Sequence, residues 1–173
     1  MKKPLVGIVM GSSSDLSVME ETAELLKRFE VPYEIIVTSA HRSPERTREY
    51  ARSAQKRGLE VIIAGAGGAA HLAGSIAAET VLPVIGVPID STPLKGIDAL
   101  LATVQMPSGV PVATMAVGKT GAKNAGILVI QIVSLHRPEL RKKLLEYKEE
   151  MARHVEEMSR ALESSQTEPP TGN

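Results

Sequence analysis

The chain of 173 residues contains no cysteine and no tryptophan, and its aromatic residues are one phenylalanine and three tyrosines. Without cysteine, neither a disulfide framework nor a thiolate metal site can form. Lys+Arg and Asp+Glu number 20 each, so the formal net charge is zero. Because nucleic-acid binding needs a basic surface, stacking rings or both, the composition argues against a nucleic-acid partner.

Long hydrophobic runs are also missing. The first apolar run, residues 5–10, is too short to span a membrane, and no small-residue cleavage pattern follows it. We therefore expect a cytoplasmic protein without a membrane partner. Hydrophobic residues make up 43% and charged residues 23%, a balance typical of a globular chain, and the length suits one domain.

Short apolar runs recur along the chain and predict five strands, at residues 5–10, 34–38, 61–64, 84–87 and 112–117. Each run is nearly continuous rather than alternating with polar residues. Such runs are typical of strands in a parallel sheet that helices cover on both faces.

Five predicted helices alternate with these strands, at residues 15–30, 43–58, 71–80, 97–104 and 123–135. Ser17 and Glu20 stand at capping-box spacing in the first, and Ser43-Pro44 begins the second, which Gly58 ends. The alternation predicts a doubly wound, flavodoxin-like α/β fold, a three-layer αβα sandwich around a central parallel sheet.

A further helix is predicted from Glu139 to about Leu162. Its apolar residues form a narrow seam: Leu140, Leu144, Met151, Val155, Met158 and Leu162. Such a helix either packs on its own domain or serves as an arm that packs on a neighbouring subunit, and we favour the arm. We assign residues 1–163 to a single α/β domain that includes this C-terminal helix, and residues 164–173 to a disordered tail.

Ligands of open parallel sheets bind outside the carboxyl ends of the strands. The loop at residues 11–15, Gly-Ser-Ser-Ser-Asp, precedes a helix and suits a phosphate, although its polar residues could merely cap that helix. The next loop carries His41 and Arg42. Arginine is a planar clamp for phosphate and histidine transfers protons near neutrality, so this pair predicts a site rather than an ordinary surface pair.

Small residues dominate the third loop, residues 65–74, where a flat ligand could lie against backbone N–H groups. His71 in this loop is either a second imidazole of the site or a cap for its helix, and we favour the site. The loop at residues 88–96 is long enough to cover a site or build an interface. Gly118-Lys119-Thr120 resembles the end of a P-loop, but Ala113 stands where that motif requires glycine.

Several other sites are excluded by what these loops lack. They contain no aromatic residue to stack on a flavin, no acidic cluster of a phospho-acceptor domain and no dinucleotide fingerprint. His136 and His154 are predicted to be ordinary surface residues. Only His41, His71 and Asp15 remain as conceivable metal ligands, without a spacing motif, so we expect neither a metal nor a cofactor.

Four runs, at residues 10–15, 39–44, 64–72 and 104–109, together resemble the 5-(carboxyamino)imidazole ribonucleotide mutase family, the bacterial mutase type of PurE. The similarity extends from about residue 5 to residue 135. The resemblance implies the αβα sandwich predicted above, a catalytic domain that assembles as a homo-octamer, and a small-molecule ribonucleotide as substrate. It also implies an isomerase of de novo purine biosynthesis that moves a carboxyl group from N5 to C4 through released and recaptured CO2.

The resemblance also implies roles for individual residues. His41 would be the catalytic acid and base, and His71 would stand beside it in the catalytic site. The residues implied to bind the substrate are Ser14, Ser39 and Arg42 at the phosphate, Asp15 at the ribose hydroxyls, and Ser12, Ala66 and Gly67, with His71, at the carboxylate end. The chain departs from the family pattern at Ala73, Ser43 and Ala99, where proline, threonine and serine are usual.

Two alternative functions stay open. A sister group carboxylates aminoimidazole ribonucleotide directly with CO2, but it typically has lysine at the position of Arg42 and lacks the motif around His71. The other alternative is a nucleotide-binding module without catalysis, which would need Arg42 and the serine loop but not His41.

Overall fold

Short runs of β-branched and small apolar residues form the five strands of the sheet. The computed structural model describes residues 3–167. Its strands are β1 (Val6–Met10), β2 (Tyr33–Val37), β3 (Val61–Gly67), β4 (Val84–Ile89) and β5 (Ala113–Thr114). Every residue of β1 and β4 is buried, as continuous apolar runs predict for the middle of a parallel sheet.

A helix follows each strand, and a sixth helix follows the fifth. They are α1 (Leu16–Arg28), α2 (Pro44–Arg57), α3 (Leu72–Ala77), α4 (Ile97–Val104), α5 (Gly118–Ser134) and α6 (Pro138–Thr167). The second begins with proline in its first turn and ends at Gly58, whose φ of 101° is in the left-handed region that glycine adopts most easily.

The strands pair in parallel in the order β2-β1-β3-β4-β5, which is the flavodoxin-like order. Met10, at the end of β1, pairs with Val37 of β2 and with Gly65 of β3. The carboxyl ends of these three strands therefore lie side by side, so the loops that follow them meet at one edge of the sheet. The predicted fold class is confirmed.

Helices cover the sheet in pairs. The Thr22 hydroxyl of α1 donates to the carbonyl of Ala122 in α5 at 2.7 Å, and Gly126 lets α5 approach α1 closely. On the other side, residues of α2 and α3 share one buried cluster with β1 and β3 that includes Ala54, Ile62 and Ile76. Burial of such side chains on both faces is the main contribution to the stability of the sheet.

The fifth strand is shorter than the predicted segment 112–117, and α5 begins at Gly118 rather than near Lys123. Among the described strands, β5 pairs with β4 alone. Just beyond the paired residues, the N–H of Met115 donates to the carbonyl of Gly86. The chain turns at Gly118, whose φ is 73°, directly into the helix. The apolar run at residues 112–117 is therefore longer than the strand it forms, which pairs on one side only.

The chain divides by its contacts into two compact units, with the boundary between Val133 and Ser134. In the second unit, α6 continues beyond the predicted end near Leu162, so residues 164–167 are helical rather than a disordered tail. The hydroxyls of Ser164 and Ser165 donate to carbonyls one turn back, those of Arg160 and Leu162, at 2.8 Å each, so both side chains bond within the helix. Residues 168–173 of the predicted tail lie outside the described residues.

The seam of α6 is exposed over most of its length. Leu140 and Leu144 are buried, whereas Met151, Val155, Met158 and Leu162 are between 45% and 63% exposed. His136 and His154 are exposed as well. Among residues 3–167, no helix combines the length and the apolar character that crossing a membrane requires.

Candidate active site

A cavity of about 320 Å³ opens at the edge of the sheet where the carboxyl ends of β1 to β4 meet. Residues from four strand-end loops line it: Gly11, Ser12, Ser14, Asp15, Ser39, Ala40, His41, Arg42, Ala66, Gly67, Ala69, Leu72 and Ser91. The lining includes each residue predicted from the sequence to bind the substrate except His71. His71, predicted as the second catalytic residue, reaches the site through its contact with His41.

The serine loop after β1 is held by its own hydrogen bonds. The side chain of Ser12 accepts the N–H of Ser14 at 3.3 Å, and the carboxylate of Asp15 accepts the N–H of Ser12 at 3.1 Å. This reciprocal capping box lies before α1, and not at Ser17 and Glu20 as the sequence suggested. The capping role is observed, and it is compatible with the site interpretation because the capping residues also line the cavity.

Asp15 is a carboxyl group with only 6% of its surface exposed. Burial raises its pKa, and the Ser12 N–H, the Ser14 hydroxyl and the positive charge of Arg42 oppose that rise. Because Asp15 lines the cavity and a carboxylate accepts hydrogen bonds but repels anions, it suits the hydroxyl groups of a ligand rather than an anionic group.

The loop after β2 contacts the serine loop directly. Nη2 of Arg42 donates to the carbonyl of Gly11 at 3.0 Å, and the N–H of Arg42 donates to the hydroxyl of Ser39 at 3.2 Å. A guanidinium has five N–H donors, so the bond to Gly11 leaves others for an anion. Three potential anion contacts, Ser14, Ser39 and Arg42, thus line one cavity.

The two imidazoles of the site face each other. Nε2 of His41 lies 2.8 Å from Nδ1 of His71, with the ring planes at 79°. His71 occupies the N-cap position of α3, but its side chain makes no capping hydrogen bond. The second imidazole is therefore directed to the first one and not to its helix.

The glycine-rich end of β3 brings the backbone close to the next loop. A β-carbon on Gly67 would collide with the hydroxyl of Ser91, and one on Gly65 would meet the side chain of Met19. Without these β-carbons, the end of β3 packs closely against the loop after β4 and against α1.

Sequence reasoning missed Ser91 as an individual site residue. Residues 88–96 are predicted as a loop that covers a site or builds an interface, and Ser91, two positions after β4, lines the cavity. Its place just after the carboxyl end of a parallel strand is the sequence signal that indicates a site residue. Within the part of the chain that the structure describes, no three His, Asp or Glu side chains lie together in a way that could hold a metal ion.

Fold and site together define a flavodoxin-like α/β protein with a polar, imidazole-bearing pocket at the carboxyl edge of its sheet. The family model described as AIR carboxylase matches residues 5–154, and the chain belongs to that family.

Relatives and a solved structure agree with this membership. Over 162 residues the chain is 60% identical to the N5-carboxyaminoimidazole ribonucleotide mutase of Pyrococcus horikoshii, covering 94% of this chain and 90% of the relative. It is 56% identical to the mutase of the same name from Thermotoga maritima, with 92% of each chain covered. A crystal structure of Treponema denticola PurE superposes with a TM-score of 0.82 at 32% identity, covering 92% of this chain and 98% of that one.

Proposed function

We propose that this protein is an isomerase of de novo purine biosynthesis. It converts N5-carboxyaminoimidazole ribonucleotide to 4-carboxy-5-aminoimidazole ribonucleotide. The observation that carries the proposal is the 60% identity, across 94% of the chain, to a protein named for that mutase activity. The pocket supports it, because it places hydroxyls, a guanidinium and two imidazoles where a phosphorylated heterocycle could bind.

In this proposal the phosphate binds to Ser14, Ser39 and Arg42, which all line the cavity and supply hydroxyl and guanidinium donors. The buried carboxylate of Asp15 accepts the ribose hydroxyls. The carboxylate end of the substrate then lies near Ser12, the backbone of Ala66 and Gly67, and His71.

His41 carries the proton in both halves of the reaction. It donates a proton to the exocyclic nitrogen as the bond from that nitrogen to the carboxyl carbon breaks and CO2 is released. The ring carbon C4 then attacks the CO2, and the neutral imidazole of His41 removes the proton from C4. The histidine ends as it began, and the isomerisation is neither a redox step nor a net hydrolysis, so it demands no cofactor.

Direct carboxylation of aminoimidazole ribonucleotide is not favoured, since the highly identical relatives are named as mutases and the chain has Arg42 and His71. We also propose a cytoplasmic homo-octamer. Its support is the resemblance of the motifs and, for assembly, the exposed apolar seam of α6.

The test is to incubate the protein with N5-carboxyaminoimidazole ribonucleotide in the presence of EDTA and without ATP, metal or added bicarbonate. We expect the 4-carboxy product to accumulate. A carboxylase would instead form that product from aminoimidazole ribonucleotide and bicarbonate, and a non-catalytic binding module would form it in neither assay. Activity that EDTA abolishes and a divalent ion restores would overturn the metal-free mechanism.

A further inference from the structure

Three hydroxyl groups form a connected cluster behind the loop that carries Ser39, His41 and Arg42. We call Thr38, Ser43 and Thr47 the hydroxyl cluster. Oγ1 of Thr38 lies 2.9 Å from Oγ1 of Thr47 and 3.2 Å from Oγ of Ser43. Thr38 and Thr47 are 3% and 2% exposed, and the single hydroxyl proton of Thr38 can donate either to Thr47 or to Ser43, so solvent does not replace the bond that Thr38 makes when it is lost.

The hydroxyl cluster also bonds the backbone of the loop at both ends. Oγ of Ser43 accepts the N–H of Ser39 at 3.0 Å and donates to the carbonyl of Ser39 at 3.2 Å. Oγ1 of Thr47 donates to the carbonyl of Ser43 at 3.1 Å. The turn from Ser39 to Ser43 is thus tied to the end of β2 and to the first turn of α2.

The hydroxyl of Ser43 bonds the loop and does not cap α2. It occupies the N-cap of α2, where a serine usually accepts an N–H of the helix, but its side chain makes no such bond. The hydroxyl points back into the loop instead. Its contribution is therefore to the geometry of the turn rather than to the start of the helix.

We propose that Thr38, Ser43 and Thr47 are positioning residues for the mutase reaction, which fix the turn that aims His41 at His71 and places Ser39 and Arg42. This inference rests on the proposed function. The physical reason is that a proton-transfer group must be held close to its productive position, and a displacement of about 1 Å can cost about a hundredfold in rate. A buried network anchored at both ends of the turn supplies that constraint.

The test compares Thr47→Val and Thr38→Val with Thr103→Val. Thr103 is a matched control, since it is 3% exposed and its hydroxyl donates to the carbonyl one turn back, that of Ala99, at 2.7 Å, as Thr47 donates to Ser43. We expect all three variants to lose some thermal stability. Only Thr38→Val and Thr47→Val should lose kcat, by about tenfold or more.

Conservative variants separate positioning from simple destabilisation. Ser43→Thr and Thr47→Ser keep the hydroxyl and should retain kcat, whereas Ser43→Ala should lose it. If Thr47→Val does not fold, the comparison of Ser43→Ala with Ser43→Thr decides the matter. Equal kcat in Thr38→Val, Thr47→Val and Thr103→Val would overturn the inference.

A second measurement does not depend on turnover. Amide hydrogen exchange at Ser39 and Ser43 should be faster in Thr38→Val and Thr47→Val than in the parent, and unchanged in Thr103→Val. Absence of turnover in the parent protein would contradict the proposed function, whereas unchanged exchange at Ser39 and Ser43 in both cluster variants would contradict the positioning role.

Discussion

At the scale of single residues, the contact between His41 and His71 restricts the protonation of both rings. Two N–H groups cannot face each other at 2.8 Å, so one of the two facing nitrogens must be unprotonated. The protonation of His41 is therefore linked to the tautomer of His71. The other nitrogen of His41 is not used in this contact and can serve the substrate.

Replacing His41 with asparagine keeps a hydrogen-bond donor and removes the titratable proton. We expect kcat to fall by about 10²–10⁴, because general acid–base catalysis is worth about that much, while substrate affinity changes far less. Steady-state kinetics and calorimetric binding measure the two effects, with circular dichroism as the check on folding. His71→Asn should be milder. A dead His71→Asn beside a near-normal His41→Asn would reverse the proposed roles.

Arg42→Ala should weaken substrate binding by about ten- to a hundredfold, since a charge-assisted hydrogen bond is worth about 1.5–3 kcal/mol. The matched control is Arg46→Ala. Arg46 is an exposed arginine in the first turn of α2, and it does not line the cavity. Calorimetric titration of both variants checks the prediction. Equal affinities in the two would place the phosphate elsewhere.

At the scale of elements, the strand ends build the site through close backbone approach. The end of β3 passes so near to Ser91 that Gly67 has no room for a side chain. By contrast, β2 is less buried than its sequence predicts. Its apolar sequence suggested burial on both faces, yet Ile35 and Val37 are 39% and 44% exposed because β2 lies at the edge of the sheet.

Gly67→Ala tests the approach of β3 to the loop after β4. We expect the free energy of unfolding to fall by about 1–3 kcal/mol, as for other overpacked sites, together with weaker substrate binding. The double variant Gly67→Ala with Ser91→Gly should recover most of the stability, and Ser91→Gly alone is the control. Denaturant unfolding measures each. An unaltered Gly67→Ala protein would mean that the loop moves aside freely.

At the scale of the whole molecule, α6 carries an apolar seam that the described chain leaves mostly exposed. Exposed apolar surface of this kind marks a site of association between proteins. That observation supports an arm, and it gives the octamer proposal a physical basis in addition to the resemblance.

Truncation before Pro138 tests the arm. We expect a smaller assembly or a lower melting temperature, because the seam would no longer be available to a neighbouring subunit. Analytical ultracentrifugation and thermal unfolding provide the measurements. A truncation after Thr167 leaves α6 intact and is the control. Identical sedimentation and melting of the two truncated proteins would exclude the arm.

Much of this protein is determined by its sequence alone. Continuous apolar runs alternating with helices predict the parallel αβα sandwich, since such runs are typical of strands that helices cover on both faces. The same pattern locates the site, because the carboxyl ends of parallel strands share one edge, and it thereby brings the serine loop, His41 and Gly67 to one cavity.

The tertiary structure alone decided which of these residues contact each other. His41 meets His71, Arg42 bonds the carbonyl of Gly11, and Ser91 fills the space beside Gly67. These partners are 24 to 31 residues apart, and their contacts depend on the order of the strands and on the angles of the loops. Local patterns do not carry that information, because it arises only when strands from distant parts of the chain pair and the helices between them pack.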